Sequence, residues 1–310
     1  AGSAEYADAA GHRAALAILE CYADNQGDGR TYTLDYLERF LDEYRANPEQ
    51  PWDGRHAAYR ELVKTLARRT AEFHQALALP DREGAFGTEP ITPDDVNDWA
   101  NGVRLQMESL FDRLERDLSL LPEAAQRVGD ELLAARPRLY RRILRAAAVR
   151  LDCAKTRYHG DFHLGQVWLV KNDFLITNYG GESGRSWAER RRRHTPLRVV
   201  AGMMLSFSEV GAAALAHVAA DSAEALAALQ GRVDEWEAMA RRAFLRAYRK
   251  AMAGHASHPT DAAAAESLIA LFMMERALSD LDRELAQRGA AVGAAMRRLA
   301  QIAPRRSPPA

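Results

Sequence analysis

A short β-rich segment interrupts a chain whose other segments follow helical patterns. The runs Val167 to Val170 and Phe174 to Thr177 are separated by Lys171, Asn172 and Asp173, an arrangement typical of a hairpin. On both sides of this segment, apolar residues recur at three- and four-residue spacing over long stretches. A chain with so few strand signals cannot build a large sheet. We therefore predict a mostly α (α+β) protein that carries one β-hairpin.

The predicted helices have recognisable starts and stops. Thr33 can cap a first helix that stops near Asn47 and Pro48, and Pro137 is expected to kink a later one. One early segment, Ala14 to Tyr22, has strand character and is the only early strand that we predict. The other helices are predicted near residues 55–77, after 92–93, after 122, and over 197–217, 223–252 and 262–288.

Composition limits the classes of function. The 310 residues include 42 Lys and Arg against 43 Asp and Glu, a formal net charge of −1, so no nucleic-acid partner is indicated. No uninterrupted apolar stretch approaches the roughly 20 residues that span a bilayer, which argues against a membrane protein. The two cysteines, Cys21 and Cys153, fit neither a disulfide scaffold nor a zinc site. We therefore predict a cytoplasmic protein.

A dense polar cluster precedes the hairpin. Two histidines, His159 and His163, stand with Asp161 and Gln166 among glycines. A zinc site is one interpretation, although the glycines argue against the regular helix that would place both imidazoles on one face. The other interpretation is a site for phosphoryl transfer. In such a site an Asp orients the attacking hydroxyl or accepts its proton, and a nearby side-chain amide can bind magnesium. A second acidic metal ligand should then follow the hairpin.

Several separated blocks of the sequence resemble the maltokinase family, relatives of the aminoglycoside phosphotransferases with a kinase-like fold. The resemblance extends over nearly the whole chain, and its blocks occur in the family's order. They are residues 25–29 and 32–37, residues 69–74, His159 to Gln166 with the hairpin, Glu182, Arg185, residues 188–191, residues 196–198, 200–203 and 206–207, and residues 275–278 and 284–286.

The resemblance implies transfer of the γ-phosphate of ATP to maltose, with Mg²⁺ as cofactor, and some members are fused to trehalose synthase. It also implies roles for individual residues. These are Asp161 and His159 in catalysis, the backbone from Glu20 to Tyr22 in nucleotide binding, Gln166 and Asn178 at the metal, and His163, Glu275 and Arg276 at the sugar.

The chain departs from the family pattern in four places. The family's metal-binding Asp is Asn178, and an Asp expected two residues after Leu197 is Val199. Two tyrosines that face the sugar in the family are Ser279 and Arg283. The chain also begins about one strand before the hinge, so the family's phosphate-covering loop and its lysine have no counterpart in it.

These departures favour a maltokinase-like domain that is catalytically impaired or inactive and has a structural or interaction role. The alternative is an active sugar 1-phosphotransferase that uses Asp161 as base, with the nucleotide lobe in a longer chain. In either case we expect residues 1–30 to be a remnant of the N-lobe strands and hinge. Residues 31–303 are expected to form a helical C-terminal lobe, and residues 304–310 a disordered tail.

Overall fold

The computed structural model of the chain describes residues 2–8, 13–19, 21–50, 54–80, 84, 86–181, 186–219, 222–287, 289 and 291–302. Most of these residues are helical, which confirms the predicted fold class. Glu182, Arg185 and the predicted tail 304–310 lie outside the described residues. The helices are α1 (Gly29–Ala46), α2 (Ala57–Leu77), α3 (Pro93–Asp117), α4 (Glu123–Ala147), α5 (Trp187–Arg190), α6 (Leu197–Val218), α7 (Ala223–Ala251), α8 (Ala262–Gln287) and α9 (Val292–Ile302).

The strands in the described residues form three separate antiparallel pairs. They are β1 (Gly2–Ala7) with β2 (Arg13–Leu19), β3 (Glu89–Pro90) with β4 (Ala154–Lys155), and β5 (Val167–Val170) with β6 (Asp173–Ile176). The β5–β6 pair is the predicted hairpin. Its turn residues Lys171 and Asn172 both have positive φ, 50° and 63°, as a tight two-residue hairpin turn requires.

Several elements were not located from the sequence, among them the short strands β3 and β4 and helix α5. Only one early segment carried a strand signal, and the structure pairs this segment, Arg13–Leu19, with Gly2–Ala7. Every residue of β1 is exposed, so its sequence lacks the alternation of buried and exposed positions that signals a strand. Helix α9 was also not predicted, although its buried residues Val292, Ala295, Met296 and Leu299 follow helical spacing.

Helix α6 is the core helix of the described structure and packs against α1, α7 and α8. It is long and apolar enough to cross a membrane by length and composition alone, but 72% of its most apolar window is buried inside the protein. The apolar side chains of α6 thus have partners within this chain. A buried core helix of a globular protein has the same properties.

The loop of residues 159–166, which we call the polar loop, lies directly against α6. A Cβ atom added to Gly202 of α6 would lie 2.5 Å from the carbonyl oxygen of Phe162. One turn later, the Ser206 hydroxyl accepts a hydrogen bond from the backbone N–H of Leu164 at 3.2 Å. The absence of a side chain at Gly202 therefore allows the helix and the loop to approach closely.

We predict that Gly202→Ala destabilises the protein by about 1–3 kcal/mol, because the added methyl group would push the Phe162 backbone away from α6. Urea denaturation measures the change in the free energy of unfolding. The matched control is Gly231→Ala in α7, where an added Cβ meets nothing within 4 Å. The control should be stabilised by roughly 0.5–1 kcal/mol from helix propensity. Equal effects of the two substitutions would contradict the close approach.

Candidate active site

The conformation of the polar loop follows from its glycine and its buried anchors. Gly160 has φ 84°, a backbone conformation that side chains with a Cβ rarely adopt. After it, Phe162 and Leu164 are both buried in the core, and the chain forms a 3₁₀ turn over Leu164–Gln166 before entering β5. The loop therefore alternates buried apolar residues with the polar residues Asp161 and His163, which are about one quarter exposed.

Asp161 forms an ion pair with Arg276 of α8. The guanidinium donates to Asp161 Oδ1 at 2.7 Å, and His163 Nε2 lies 3.8 Å from the other oxygen, Oδ2. His163 and Arg276 together lower the pKa of Asp161 well below that of an ordinary aspartate, which outweighs the opposite effect of partial burial. Asp161 is therefore ionised at neutral pH, and its Oδ2 atom remains able to accept a proton or a hydrogen bond.

Arg276 also contacts a buried acidic residue, Asp280. Arg276 Nε lies 3.5 Å from Asp280 Oδ1, and Arg283 donates to this oxygen at 2.6 Å. Asp280 is 2% exposed, and its Oδ2 atom has no hydrogen-bond partner within the described part of the chain. Burial, followed by the nearby charge of Asp280, raises the pKa of Glu209 on α6. Two carboxyl groups and two guanidiniums thus share one region beside Asp161.

The predicted metal ligands Gln166 and Asn178 contact each other. The Asn178 side-chain amide donates to Gln166 Oε1 at 2.5 Å, so the oxygen expected to bind a metal is engaged by a neutral amide. Magnesium prefers charged oxygen ligands in octahedral geometry. Among the described residues, no group of three or more His, Cys, Asp or Glu side chains could hold a metal ion. The residues present do not fit Mg²⁺, and they do not fit the zinc alternative either.

His159 lies behind the polar loop. Its ring is 1% exposed, and its Nε2 atom donates to the carbonyl oxygen of Thr177 at 2.7 Å. This bond ties the start of the loop to the exit of the hairpin, close to Asn178. Burial lowers the pKa of His159, so its imidazole is neutral at neutral pH. The geometry gives His159 a role in holding the loop.

The remaining predicted site residues are more dispersed. Glu275 accepts from Arg198 at 2.7 Å, and both line a cavity of about 40 Å³ beside the polar loop. Tyr22 is 83% exposed, and the nucleotide-binding role predicted for this segment stays a prediction. Glu20 lies outside the described residues. The structure therefore brings together Asp161, His163, Gln166, Asn178 and Arg276, while Glu275 faces the small cavity.

A larger cavity lies on the far side of Arg276. It has a volume of about 740 Å³ and is lined by Arg276, Asp280 and Arg283 of α8 and by Glu209 of α6. Sites for small molecules usually have volumes of roughly 300–1,000 Å³, whereas one water molecule occupies about 30 Å³. The larger cavity can hold a monosaccharide, and the small one cannot.

Comparison with known proteins identifies sugar kinases of similar fold. The chain is similar to a structure described as glucosamine kinase in complex with glucosamine, ADP and inorganic phosphate, with a TM-score of 0.64 and 23% identity over 90% of this chain and 57% of the other. A second crystal form of glucosamine kinase gives a TM-score of 0.63 at 24% identity over 89% of this chain and 55% of the other. The chain has the same kinase-like fold as these structures.

Sequence comparison agrees with this result. A glucosamine kinase of Streptacidiphilus jiangxiensis is 30% identical over 192 residues, which is 61% of this chain and 37% of that protein. No family model matches the chain. The chain thus spans little more than a third of the length of this curated relative. These findings show a similarity to glucosamine kinases, and they do not show the narrower resemblance to maltokinases.

Sequence reasoning missed the acidic pair on α6 and α8. Glu209 stands alone among the apolar and small residues of α6, and a charged residue in such a helix signals a buried polar partner. Asp280 follows Arg276 by one helical turn, a spacing that places both on one face of α8. No local sequence pattern predicts the ion pair of Arg276 with Asp161, because the two residues are 115 positions apart.

We predict that Asp161→Asn lowers the melting temperature at neutral pH, at a cost of roughly 1–3 kcal/mol from the broken ion pair. Because the pKa of Asp161 is lowered in the folded state, its carboxylate stabilises the fold at pH values above its unfolded pKa of about 3.9. This contribution is lost as the pH falls through the folded-state pKa. The difference from wild type should therefore narrow below about pH 4. Thermal melts across the pH range measure it.

The control for this variant is Asp282→Asn on the same helix, whose carboxylate is 58% exposed and pairs with Arg113. A surface pair of this kind contributes about 0–1 kcal/mol. An Asp161→Asn variant no less stable than the control would refute the argument.

We predict the opposite pH dependence for Glu209→Gln. Because the pKa of Glu209 is raised in the folded state, ionising this carboxyl group destabilises the fold. Its contribution to stability is therefore greatest below the unfolded pKa of about 4.3 and is lost as the pH rises through the folded-state pKa. Glutamine does not ionise, so the melting temperature of the variant relative to wild type should increase as the pH rises above about 4.5. Glu131→Gln, at an exposed position of α4, serves as control and should show no such trend. A flat difference for Glu209→Gln would refute the buried acidic pair.

Proposed function

We propose that the chain is a domain of sugar-phosphotransferase type that retains the acceptor side of the reaction and is impaired in phosphoryl transfer. The observation that carries this proposal is the hydrogen bond between Gln166 and Asn178. It replaces a metal-binding pair by two neutral amides that satisfy each other. Without an anionic ligand at this position, nothing in the described site offsets the charge of the nucleotide phosphates through a bound cation.

Asp161 is the residue that would act on the hydroxyl group of the acceptor sugar. In the reaction, a sugar hydroxyl would donate its hydrogen bond to Asp161 Oδ2 while its oxygen attacks the γ-phosphorus of ATP. The bond from that phosphorus to the β–γ bridging oxygen breaks, ADP leaves, and the hydroxyl proton passes to the carboxylate. The ion pair with Arg276 engages only Oδ1, so the oxygen needed for this step is not used in that contact.

The cavity beyond Arg276 is the proposed sugar-binding site. Asp161 does not line it, so the transfer step requires the reacting hydroxyl to extend past Arg276 to Asp161. Sugar hydroxyls need both donors and acceptors, and here Arg276 and Arg283 donate while Asp280 and Glu209 accept. Glucosamine, the ligand of the solved relative, carries an ammonium group that a buried carboxyl pair would bind favourably. Maltose, which the family resemblance suggests, would find no aromatic side chain among the described residues that line this cavity. We therefore propose glucosamine over maltose as acceptor.

The second candidate function is an active sugar kinase, the activity named for the relatives. The ionised state of Asp161 favours it, because a general base must be deprotonated. The chain spans 55–58% of the solved chains, so such an activity is proposed for the whole protein. A trehalose synthase partner is a further proposal from the resemblance, and co-purification of the two proteins would test it.

The deciding experiment uses Asn178→Asp. The substitution restores one negative charge, and Asp tolerates the left-handed backbone at this position, φ 61°, as Asn does. We predict at least a tenfold gain in magnesium-dependent ADP affinity, because a carboxylate binds this cation far better than an amide. Calorimetric titration with and without magnesium measures the gain. Asn172→Asp is the matched control, with the same substitution at φ 63° on the exposed turn of the hairpin, and should change nothing.

A coupled assay with ATP, magnesium and either glucosamine or maltose separates the two candidate functions. The proposed impairment predicts no sugar phosphate from the wild-type chain. Sugar phosphate formed by the wild type and lost in Asp161→Asn would establish the active kinase instead. Product from maltose alone would overturn the choice of acceptor.

A further inference from the structure

A third cavity lies between five helices, α4, α6, α7, α8 and α9. No residue of the polar loop lines it. Its volume is about 460 Å³, within the range of small-molecule sites. Three arginines reach it from three different helices: Arg142 of α4, Arg241 of α7 and Arg298 of α9. We call this space the arginine cavity.

One of the three arginines is fully paired inside the protein. The Arg241 guanidinium lies 2.9 Å from a carboxylate oxygen of Glu237, and it also donates to the hydroxyl of Ser208 and to the backbone carbonyl of Met204. Ser208 in turn donates to Glu237 at 2.8 Å. These contacts hold Arg241 in a fixed position at the wall of the cavity.

The other two arginines lack such partners. The Nε atoms of Arg142 and Arg298 are buried and have no hydrogen-bond partner in the part of the chain that the structure describes. Neither guanidinium lies within ion-pair distance of a described carboxylate. Burial lowers the pKa of Arg142, and the neighbouring charge of Arg145 adds to this effect. A partly buried guanidinium without a counterion is unfavourable, so a ligand that supplies the counterion would stabilise the fold.

The charge balance of the cavity points to an anion. Three guanidiniums face two carboxylates, Glu237 and Asp234. Glu237 is committed to Arg241, and Asp234 accepts a hydrogen bond from Gln230 at 2.8 Å. Among the residues that line the cavity, one positive charge is left over, although Arg298 also interacts with Glu209 of the neighbouring cavity. Guanidiniums bind the oxygens of carboxylates and phosphates through paired N–H donors, and donors arriving from three directions suit a tetrahedral phosphoryl group better than a planar carboxylate.

We propose that the arginine cavity is a binding site for a phosphoryl group, either free phosphate or the phosphate of a small metabolite. Arg142 and Arg298 would supply the unpaired donors, and Arg241 the third. The site is separate from the proposed acceptor cavity, although Arg298 lines both. Its existence does not depend on whether the chain transfers phosphate.

The test compares two double variants by thermal melting in inorganic phosphate, at ionic strength held constant with sodium chloride. Arg142→Gln with Arg298→Gln removes both unpaired guanidiniums. Arg127→Gln with Arg141→Gln is the matched control, with the same charge change at two exposed positions of α4 that line neither cavity. We expect saturable phosphate stabilisation of wild type and control, by at least about 2–4 °C, and its loss in the first variant.

Phosphate that binds away from both cavities stabilises both double variants equally, and this outcome would overturn the proposal. Phosphate that binds in the acceptor cavity, which Arg298 also lines, keeps its effect in the single variant Arg142→Gln, and this outcome would overturn the proposal too. Absence of a saturable response in the wild type would overturn it too. If the first variant does not fold, Arg142→Lys keeps the charge and loses the paired donors, and it should weaken phosphate binding in a calorimetric titration. An Arg142→Lys variant that binds phosphate as tightly as wild type would refute the site.

Two further ligands define the chemistry of the site. Acetate offers a planar carboxylate, and binding as tight as that of phosphate would refute the choice of a phosphoryl group. A hexose phosphate that binds more tightly than inorganic phosphate would identify a metabolite as the source of the group. Equal or weaker binding of the hexose phosphate would identify free phosphate.

Discussion

The close approach of α6 to the polar loop is the constraint on which the rest of the site depends. At Gly202 the helix backbone is so near the carbonyl of Phe162 that no side chain fits between them. Once the loop is fixed at this point, Asp161 must lie within reach of α8, because α6 and α8 pack along each other. The short polar stretch that follows on α6 then serves three neighbours. Ser206 binds the loop, Ser208 binds the Arg241–Glu237 pair, and Glu209 lies beside Asp280.

Helix α8 supplies the charges that complete this arrangement. Arg276 lies between Asp161 and Asp280 and contacts both, so its positive charge is shared by a carboxylate on the loop and one in the core. Burial opposes the charge of Arg276, but the two carboxylates more than offset this effect and raise its pKa. A conformational change that frees Asp161 from Arg276 would leave the buried Asp280 with most of that interaction. The site is therefore biased towards keeping Arg276 in place.

The sequence predicted those parts of the structure that have local signals. The hairpin, most helices and the polar loop follow from turn residues and from apolar spacing within short windows. Strand β1 was not predicted because an exposed strand carries a weak version of these signals. Helix α9 was overlooked, although its buried residues follow helical spacing. The two residues predicted as metal ligands, Gln166 and Asn178, contact each other in the structure. What the sequence could not show is that they bind each other, or that Arg276 contacts Asp161, because such choices depend on tertiary geometry.

The pairing of Gln166 with Asn178 also bears on how the loop and the hairpin are held together. In a site that depends on a cation, the two segments are linked by an ion that comes and goes with its concentration. Here a hydrogen bond within the chain joins them, and the contact of His159 with Thr177 reinforces it. These two contacts join the loop and the hairpin without a cation. The chain thus offers a preassembled frame into which metal dependence could be introduced by changing one side chain.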